Sequence, residues 1–318
     1  MVPSIPRMRI PVSRLGAATV GIAVLVLGCL AAQSAGQAAA APLQAAHFDF
    51  GGLARTYTVH VPSGVTHPSG LVINLHAAAA TGGDQAALTH YDSVADAHGF
   101  AVAYPDGIDF SWADGRGASV PDRQGVDDVG FIAALVGKLL ADYGIDPGHV
   151  YATGLSAGAF MANRLACDRA DLFAAIAPVA GTLGASVPCN PSRPVSVMET
   201  AGTADPIVPF DGGSMTGRGG VSDVVAAQAM ADRWRQIDGC QGAPADAALS
   251  DAGQGVSTHR LMSASCAAGT SVVFIRVDGG GHTWPGAPEI LPAAAVGPAS
   301  HGFDASDASG QFFAAHAR

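Results

Sequence analysis

The sequence predicts an α/β fold in which a mostly parallel sheet carries helices on both faces. Short β-branched and apolar segments alternate with longer segments of helical periodicity, which is the spacing that βαβ crossovers produce. Composition agrees, because 49 % hydrophobic and 13 % charged residues are typical of a globular protein and not of a disordered chain. The 318 residues, even without an N-terminal leader, suffice for one large domain that buries a two-sided sheet.

The predicted strands are short and bounded by turn residues. The first alternates between polar and apolar residues, as a half-buried strand does, and the later ones are continuous apolar runs that suit strands covered on both faces. These strands are expected at residues 55–61, 71–75, 100–104, 149–154, 173–179, 195–200 and 271–277.

Longer amphipathic segments between these strands predict the helices. The clearest is 127–143, where Asp127 and Asp128 mark the start and Gly144 the end. A further apolar segment rich in small residues follows Ser156, and other helices are expected at residues 84–98, 222–237 and 304–316. Since no repeat or long linker interrupts this pattern, residues 47–318 are predicted to form a single domain.

Residues 1–46 have the composition of a secretory leader. Three arginines precede the uncharged run 15–32, and alanine-rich sequence follows it. We therefore expect a secreted protein, with a retained transmembrane anchor as the less favoured alternative. The residues before Cys29 also resemble a bacterial lipobox, so lipidation of Cys29, and with it a lipid anchor to the cell envelope, is a second alternative.

The other four cysteines indicate disulfides. An even number in an exported protein favours two bridges, and sequence alone allows three pairings. We favour the two local ones, Cys167 with Cys189 and Cys240 with Cys266. A zinc site would need a closer spacing of Cys or His than this chain offers. The net charge of −10 and the lack of a basic cluster argue against nucleic-acid binding.

The most informative segment is Gly154-Leu155-Ser156-Ala157-Gly158, at the junction of a predicted strand and helix. A serine at the apex of such a turn is the nucleophile elbow of the α/β-hydrolase fold, and the two glycines allow strand and helix to pass closely. The pattern alone arises by chance in a glycine-rich chain. Its position between a strand and a helix makes Ser156 a candidate nucleophile.

An acid and a histidine follow later strands in the order that this fold uses. Asp205 comes after the strand 195–200, and His282 after the strand 271–277. The carboxyl ends of parallel strands meet at one edge of the sheet, so the three side chains are expected to converge there. A serine hydroxyl needs a base, and the base needs a carboxylate to orient it. Asp211 or Asp278 remain alternatives for the acid, and His98 or His301 for the base.

Acyl transfer also needs hydrogen-bond donors for the oxyanion. The N–H of Ala157, directly after Ser156, is one candidate. The loop after the strand Leu71–Leu75 is expected to supply the other, through Ala77 or Ala78.

Several motifs occur in the order found in one known group of enzymes. The chain resembles the secreted polyhydroxybutyrate depolymerase/feruloyl esterase family, which is related to carbohydrate esterase family one. The motifs that carry the resemblance are Tyr104-Pro105-Asp106-Gly107, Ser111-Trp112, Asp127-Asp128-Val129-Gly130, the elbow, the run 173–181, Gly202-Thr203-Ala204-Asp205-Pro206 and Gly280-Gly281-His282-Thr283-Trp284-Pro285-Gly286.

The resemblance implies Ser156 as nucleophile, Asp205 as acid and His282 as base, and a loop after His76 that completes the oxyanion hole. One departure lies in that loop, where the family usually has glycines and this chain has four alanines. If a family glycine has a positive φ there, alanine costs about 1–2 kcal/mol. The elbow also has Ala157 and Ala159 at positions where Asn or Gly is common.

These observations predict a secreted serine esterase acting on polyhydroxyalkanoate oligomers or on feruloyl or acetyl esters of polysaccharide. We expect no metal or organic cofactor, no nucleic-acid partner and a monomer. Trp112 and Trp284 are candidates for the substrate pocket, with buried packing as the alternative. The alternative functions are a peptidase or acyltransferase on the same scaffold, and an inactive exported binding protein.

Overall fold

The computed structural model describes residues 44–249 and 255–318, and within them a ten-stranded sheet organises the chain. The predicted leader and Cys29 lie outside the described residues. The strands of the described part are β1 (Gln44–Phe50), β2 (Leu53–His60), β3 (Leu71–Leu75), β4 (Ala101–Pro105), β5 (Val150–Leu155), β6 (Ala175–Val179), β7 (Ser196–Gly202), β8 (Gly213–Gly217), β9 (Gly220–Val224), β10 (Ala245–Ala248), β11 (Ser257–Ser263) and β12 (Val272–Asp278).

The helices in the same residues are α1 (Gly82–Thr89), α2 (Tyr91–His98), α3 (Val120–Gln124), α4 (Asp128–Tyr143), α5 (Ala157–Asp168), α6 (Ala227–Ile237), α7 (Ala293–Val296) and α8 (Ala305–Ala314). Short 3₁₀ turns lie at Ile108–Phe110 and Ala267–Gly269. Searched over the described residues, the protein has no helix whose length and apolarity would let it cross a membrane.

The sheet order is β1-β2-β4-β3-β5-β6-β7-β12-β11-β10. The six strands from β4 to β12 in this order run parallel, and antiparallel pairs extend both edges. Strands β8 and β9 form a separate antiparallel hairpin. A parallel centre brings the carboxyl ends of β3, β5, β7 and β12 to one edge of the sheet.

Both faces of the central strands are buried. On β3, Leu71, Ile73 and Leu75 pack in the cluster that contains Phe131 of α4, whereas Val72 packs in the cluster that contains Tyr91 of α2. A strand whose two faces both pack in hydrophobic clusters has no polar face, which explains why its sequence is a continuous apolar run. The structure therefore has the predicted arrangement of a mostly parallel sheet between helices.

Two disulfides lie in the described residues, Cys167–Cys189 and Cys240–Cys266, and these are the favoured local pairings. Because all four thiols are bonded, they are not available as metal ligands. Cys167 is in the last turn of α5, the helix that follows Ser156. The first bridge therefore ties the far end of this helix to the segment before β7.

Two predicted helices differ from the structure. Residues 222–237 were expected to be one helix, but the segment up to Val224 is β9, which pairs with β8, and the helix begins at Ala227. Residues 84–98 form two helices, because His90 has a left-handed backbone (φ 47°) that ends α1. At the N-terminus, β1 begins at Gln44, before the expected domain start at residue 47.

Candidate active site

Ser156 lies at the sharp turn between β5 and α5. Its φ of 56° and ψ of −115° are strained for an L-residue, and its N–H donates to the carbonyl of Val179 at 3.0 Å. A Cβ on Gly158 would lie 2.1 Å from the carbonyl oxygen of Leu75, and one on Gly154 would lie 2.6 Å from the same oxygen. Only glycine fits at these two positions, so the Gly-x-Ser-x-Gly pattern is a steric requirement of the turn.

Asp205 and His282 lie together beyond the ends of β7 and β12. The Nδ1 atom of His282 is 2.7 Å from Oδ2 of Asp205, and the two side chains are 8 % and 3 % exposed. The other oxygen of Asp205 accepts the N–H groups of Ile207 and Val208 at 2.7 and 2.8 Å. A carboxylate beside Nδ1 requires the proton on that nitrogen, which leaves Nε2 of His282 free to accept one.

The loop that carries His282 is held against a second segment of backbone. The N–H of His282 donates to the carbonyl of Val296, and that of Gly281 donates to Pro298 at 2.8 Å. A Cβ on Gly281 would lie 2.1 Å from the carbonyl oxygen of Val296. The glycines before His282 therefore permit a close approach of two backbone segments, which fixes the backbone of the histidine.

Ser156 and His282 line the same cavity, which has a volume of about 510 Å³. Its walls are mostly apolar and include Ala77, Leu88, Leu155, Ile207, Met215 and Trp284. Of the two tryptophans considered for a pocket, Trp284 lines this cavity and donates its indole N–H to Ser306 at 2.9 Å. Trp112 instead packs against His76, with the two rings tilted by 36° and their centroids 4.7 Å apart.

The alternative acids and bases lie elsewhere. Asp211 is exposed, and Asp278 pairs with Arg276 at 2.9 Å. His301 pairs with the exposed Glu289, and His98 stacks on Phe100. The structure thus brings His282, with Asp205 bonded to it, to the cavity that Ser156 lines, and leaves these four side chains in other pairs or on the surface.

The loop after β3 presents backbone to this cavity, with Ala77, Ala78, Ala79 and Ala80 all in its lining. Nδ1 of His76 bonds the carbonyl of Ala77 at 2.7 Å, and the N–H of Ala80 donates to the same carbonyl at 3.3 Å. In a trans peptide the carbonyl and the following N–H point in opposite directions. The N–H of Ala78 therefore points away from His76.

His76 is fixed in one tautomer by two backbone partners. The N–H of Gly107 donates to Nε2 at 2.9 Å, so the ring proton is on Nδ1 and is donated to Ala77. Burial lowers the pKa of His76, although Asp106 and Asp84 act in the opposite direction. The ring therefore remains a neutral bridge between the two loops.

Residues 106–112 support the loop 77–82 at further points. The N–H of Ala79 donates to Phe110 at 2.8 Å, and that of Gly82 donates to Oδ1 of Asp106 at 2.8 Å. Ala79 has a φ of 64°, so one of the four alanines adopts the conformation that favours glycine. Sequence reasoning did not assign these supports, although His76 and the Tyr-Pro-Asp-Gly motif were the visible signals.

The two aspartates at the start of α4 have different roles. Asp127 caps the helix by accepting the N–H of Gly130 at 2.8 Å, as its position predicts. Asp128 is buried in an ion pair with Arg55 at 2.6 Å and also accepts the N–H of Ala113 at 2.7 Å. Burial raises the pKa of Asp128, and Arg55 opposes the shift. Asp128 thus fixes the end of the supporting loop.

A family profile described as "Esterase PHB depolymerase" matches residues 55–226. "Putative esterase NocK" of Nocardia uniformis subsp. tsuyamanensis is 34 % identical over 194 residues, 58 % of this chain and 56 % of that protein. "Feruloyl esterase B" of Piromyces equi is 30 % identical over 161 residues, 49 % of this chain and 29 % of that protein. The chain thus spans about half of the first relative and less than a third of the second.

A third relative is similar over a shorter stretch. "Poly(3-hydroxyalkanoate) depolymerase C" of Paucimonas lemoignei is 50 % identical over 50 residues, 16 % of this chain and 12 % of that protein. Among solved structures, an acetyl xylan esterase from Aspergillus awamori superposes with a TM-score of 0.50 at 19 % identity, covering 72 % of this chain and 89 % of that one. This likeness confirms the α/β-hydrolase fold predicted from the elbow.

Proposed function

Because the chain belongs to the esterase PHB depolymerase family, we propose that it hydrolyses carboxylic esters with Ser156 as nucleophile, His282 as general base and Asp205 as the acid that orients His282. The observation that carries this proposal is the Asp205–His282 hydrogen bond of 2.7 Å at the edge of the cavity that Ser156 lines. The strained elbow and the fixed tautomer of His282 support the same assignment.

The reaction follows from this arrangement. Nε2 of His282 takes the hydroxyl proton of Ser156 as Oγ attacks the ester carbonyl, and the resulting imidazolium is stabilised by Asp205. The carbonyl oxygen becomes an oxyanion, which accepts the N–H of Ala157 and an N–H from Ala77 or Ala78. Collapse expels the alcohol, which takes the proton from His282. Water then attacks the acyl-enzyme by the same route and releases the acid and free Ser156.

The proposed substrates are oligomers of hydroxyalkanoate or feruloyl and acetyl esters of polysaccharide. An apolar cavity of about 510 Å³ suits an acyl group of that size. The names of the relatives are compatible with these substrate classes. We further propose that the protein acts outside the cell, which the two disulfides support.

The test of the nucleophile combines labelling with turnover. A fluorophosphonate probe should label Ser156 in the folded protein, and Ser156→Ala should abolish labelling. The same substitution should lower kcat on a short p-nitrophenyl ester by at least about 10³-fold. Absence of labelling in the folded wild type would support an inactive binding protein instead. Near-normal turnover of Ser156→Ala would show that the nucleophile is another residue.

A substrate panel tests the substrate class. Hydroxybutyrate oligomers, methyl ferulate, acetylated xylan and a peptide amide should be compared by kcat/KM in one buffer. The proposal predicts hydrolysis of at least one of the three kinds of ester and none of the amide. A preference for the amide, or transfer of the acyl group to an added alcohol in place of water, would favour the peptidase or acyltransferase alternative.

A further inference from the structure

Arg116 is a buried cation in the wall of the cavity. Its side chain is only 9 % exposed, and it lies in the loop before α3 among apolar lining residues. The cavity has other charged residues in its lining, Asp84, Arg218 and Glu289. Two of these, Arg218 and Glu289, are in ion pairs with exposed side chains, and Asp84 caps α1. Of the residues with ion pairs in this lining, Arg116 therefore has the charged side chain that is least exposed to water.

One edge of the Arg116 guanidinium is fixed by a carboxylate. Nε donates to Oδ1 of Asp114 at 2.9 Å and Nη2 donates to Oδ2 at 2.7 Å, and the side chain of Asp114 is fully buried. The guanidinium also lies 3.7 Å above the ring of Phe160. A two-point contact on one edge and an aromatic ring against one face fix the direction in which the remaining donors point.

The opposite edge of Arg116 has only a weak partner. Nη1 donates to the thioether sulfur of Met215 at 3.3 Å, and Met215 also lines the cavity. A thioether is a poor acceptor, and an arginine carries five N–H donors. A buried charged donor without a good acceptor is costly, so an oxygen that enters the cavity would gain a strong hydrogen bond there.

Phe160 contacts Arg116 through its ring and Ser156 through its backbone N–H. The N–H of Phe160 donates to the carbonyl of Ser156 at 3.0 Å, so Phe160 is one turn of α5 beyond Ser156. One turn is about 5.4 Å. The guanidinium packs over a residue one helical turn from Ser156 and lines the same cavity, and it is a different group from the backbone N–H groups proposed for the oxyanion.

We propose that Arg116 determines specificity by donating from its Nη1 edge to a neutral oxygen on the substrate, away from the bond that is cleaved. This inference rests on the proposed esterase function and refines its substrate class. Esters whose acyl chain carries a second carbonyl, as in hydroxyalkanoate oligomers, are preferred over purely aliphatic ones. A neutral oxygen is favoured over a carboxylate because Asp114 already balances the charge and Asp84 and Glu289 line the same cavity.

The test uses two p-nitrophenyl esters of equal size. The 3-acetoxybutanoate carries a second carbonyl, and the 3,5-dimethylhexanoate is its apolar counterpart. We expect the wild type to prefer the first by kcat/KM. In the double variant D114N/R116M, which removes both buried charges together, the preference should fall about 10-fold. An unchanged preference in a folded double variant, judged by its melting curve and by fluorophosphonate labelling, would overturn the inference.

A second pair of variants tests the same edge without removing the ion pair. Met215→Gln places an amide group at the position of the thioether, and its oxygen can accept from Nη1, so Nη1 is satisfied within the protein and the preference should fall. Met215→Leu removes the sulfur without adding an acceptor, so the preference should be retained. Equal preferences in these two variants would overturn the inference. If the wild type hydrolyses neither ester and Ser156 is not labelled, both the esterase function and this inference fail, whereas hydrolysis without preference overturns the inference alone.

Discussion

The cavity of Ser156 has two sides that are held in different ways. On one side, Asp205 is fixed by the N–H groups of Ile207 and Val208, two and three residues along the chain, and Asp205 in turn holds His282. On the other side, the loop after β3 is fixed by a distant loop, through His76, Gly107 and Phe110. We call these the relay side and the oxyanion side. The acid of the relay side is thus fixed within its own turn, whereas the backbone of the oxyanion side is fixed by contacts with a separate loop.

The largest expected effect is on the relay side. Asp205→Asn keeps the shape of the side chain but removes its charge, so the imidazolium of His282 is no longer stabilised. We expect kcat to fall by about 10³–10⁴-fold with a smaller change in KM, measured on a short p-nitrophenyl ester. Asp211→Asn, at an exposed position near Asp205, is the matched control and should remain close to wild type. The reverse order would assign the acid to Asp211.

A smaller effect is expected for the positioning residue of the oxyanion side. In His76→Asn the amide nitrogen can take the place of Nδ1 and keep the bond to Ala77, whereas in His76→Gln an acceptor remains near Nε2 but that bond is lost. We expect His76→Gln to lower kcat about 10–100-fold with little change in KM, and His76→Asn to retain more activity.

A boronic acid that forms a tetrahedral adduct with Ser156 separates this role from a structural one. Its affinity should fall in parallel with kcat, because the adduct places an oxygen where the oxyanion forms. Equal losses in the Asn and Gln variants, with unchanged affinity for the boronic acid, would contradict a positioning role for His76.

More of the relay side than of the oxyanion side can be predicted from the amino-acid sequence. Ser156, Asp205 and His282 each follow an apolar strand, so the pattern of strands predicted that they lie at one edge of the sheet. The supports of the oxyanion side could not be assigned, because nothing in the sequence shows that Gly107 donates to His76. The break at His90 within the predicted helix 84–98 was not predicted either, because hydrophobic periodicity does not show that His90 has a left-handed backbone. Strand β9 was missed because its pairing with β8 overrides its helical appearance.

The strand that leads to Asp205 carries a buried carboxyl, and this predicts a pH effect on stability. Glu199 in β7 is fully buried, and burial raises its pKa well above the ordinary value. The folded state therefore keeps a proton on Glu199 that the unfolded state releases above about pH 4.3. The contribution of protonated Glu199 to the free energy of unfolding is fully present at low pH. It is lost as the pH rises toward the raised pKa, by about 1.4 kcal/mol per pH unit.

Glu199→Gln removes this titration. In urea unfolding at pH 5 and pH 8, we expect the variant to lose less stability than the wild type between the two values. Glu289→Gln, at the exposed cavity rim, is the matched control and should follow the wild type. Parallel pH profiles for the wild type and Glu199→Gln would show that Glu199 is already ionised in the folded protein.

The smallest expected effect concerns the alanines of the oxyanion side. Ala79 has a φ of 64°, where alanine is strained and glycine is not, so Ala79→Gly should raise the free energy of unfolding by up to about 1 kcal/mol. Ala78, whose φ is not positive, is the control, and Ala78→Gly should lower it by about 0.5–1 kcal/mol. Urea midpoints measure both. Equal destabilisation by the two substitutions would show that the loop does not need the left-handed conformation at Ala79.

Strand β12 pairs with β7 in the parallel core but is the last strand along the chain, and this order matters while the protein is being synthesised. The elbow belongs to the first half of the chain, but the histidine beside Asp205 leaves the ribosome only with the last strand of the parallel core. A nascent chain that has already formed the β5–α5 turn carries Ser156 without its base. Under the proposed mechanism, hydrolytic activity therefore begins only after β12 and His282 have been synthesised, and a chain released before that point would lack the general base.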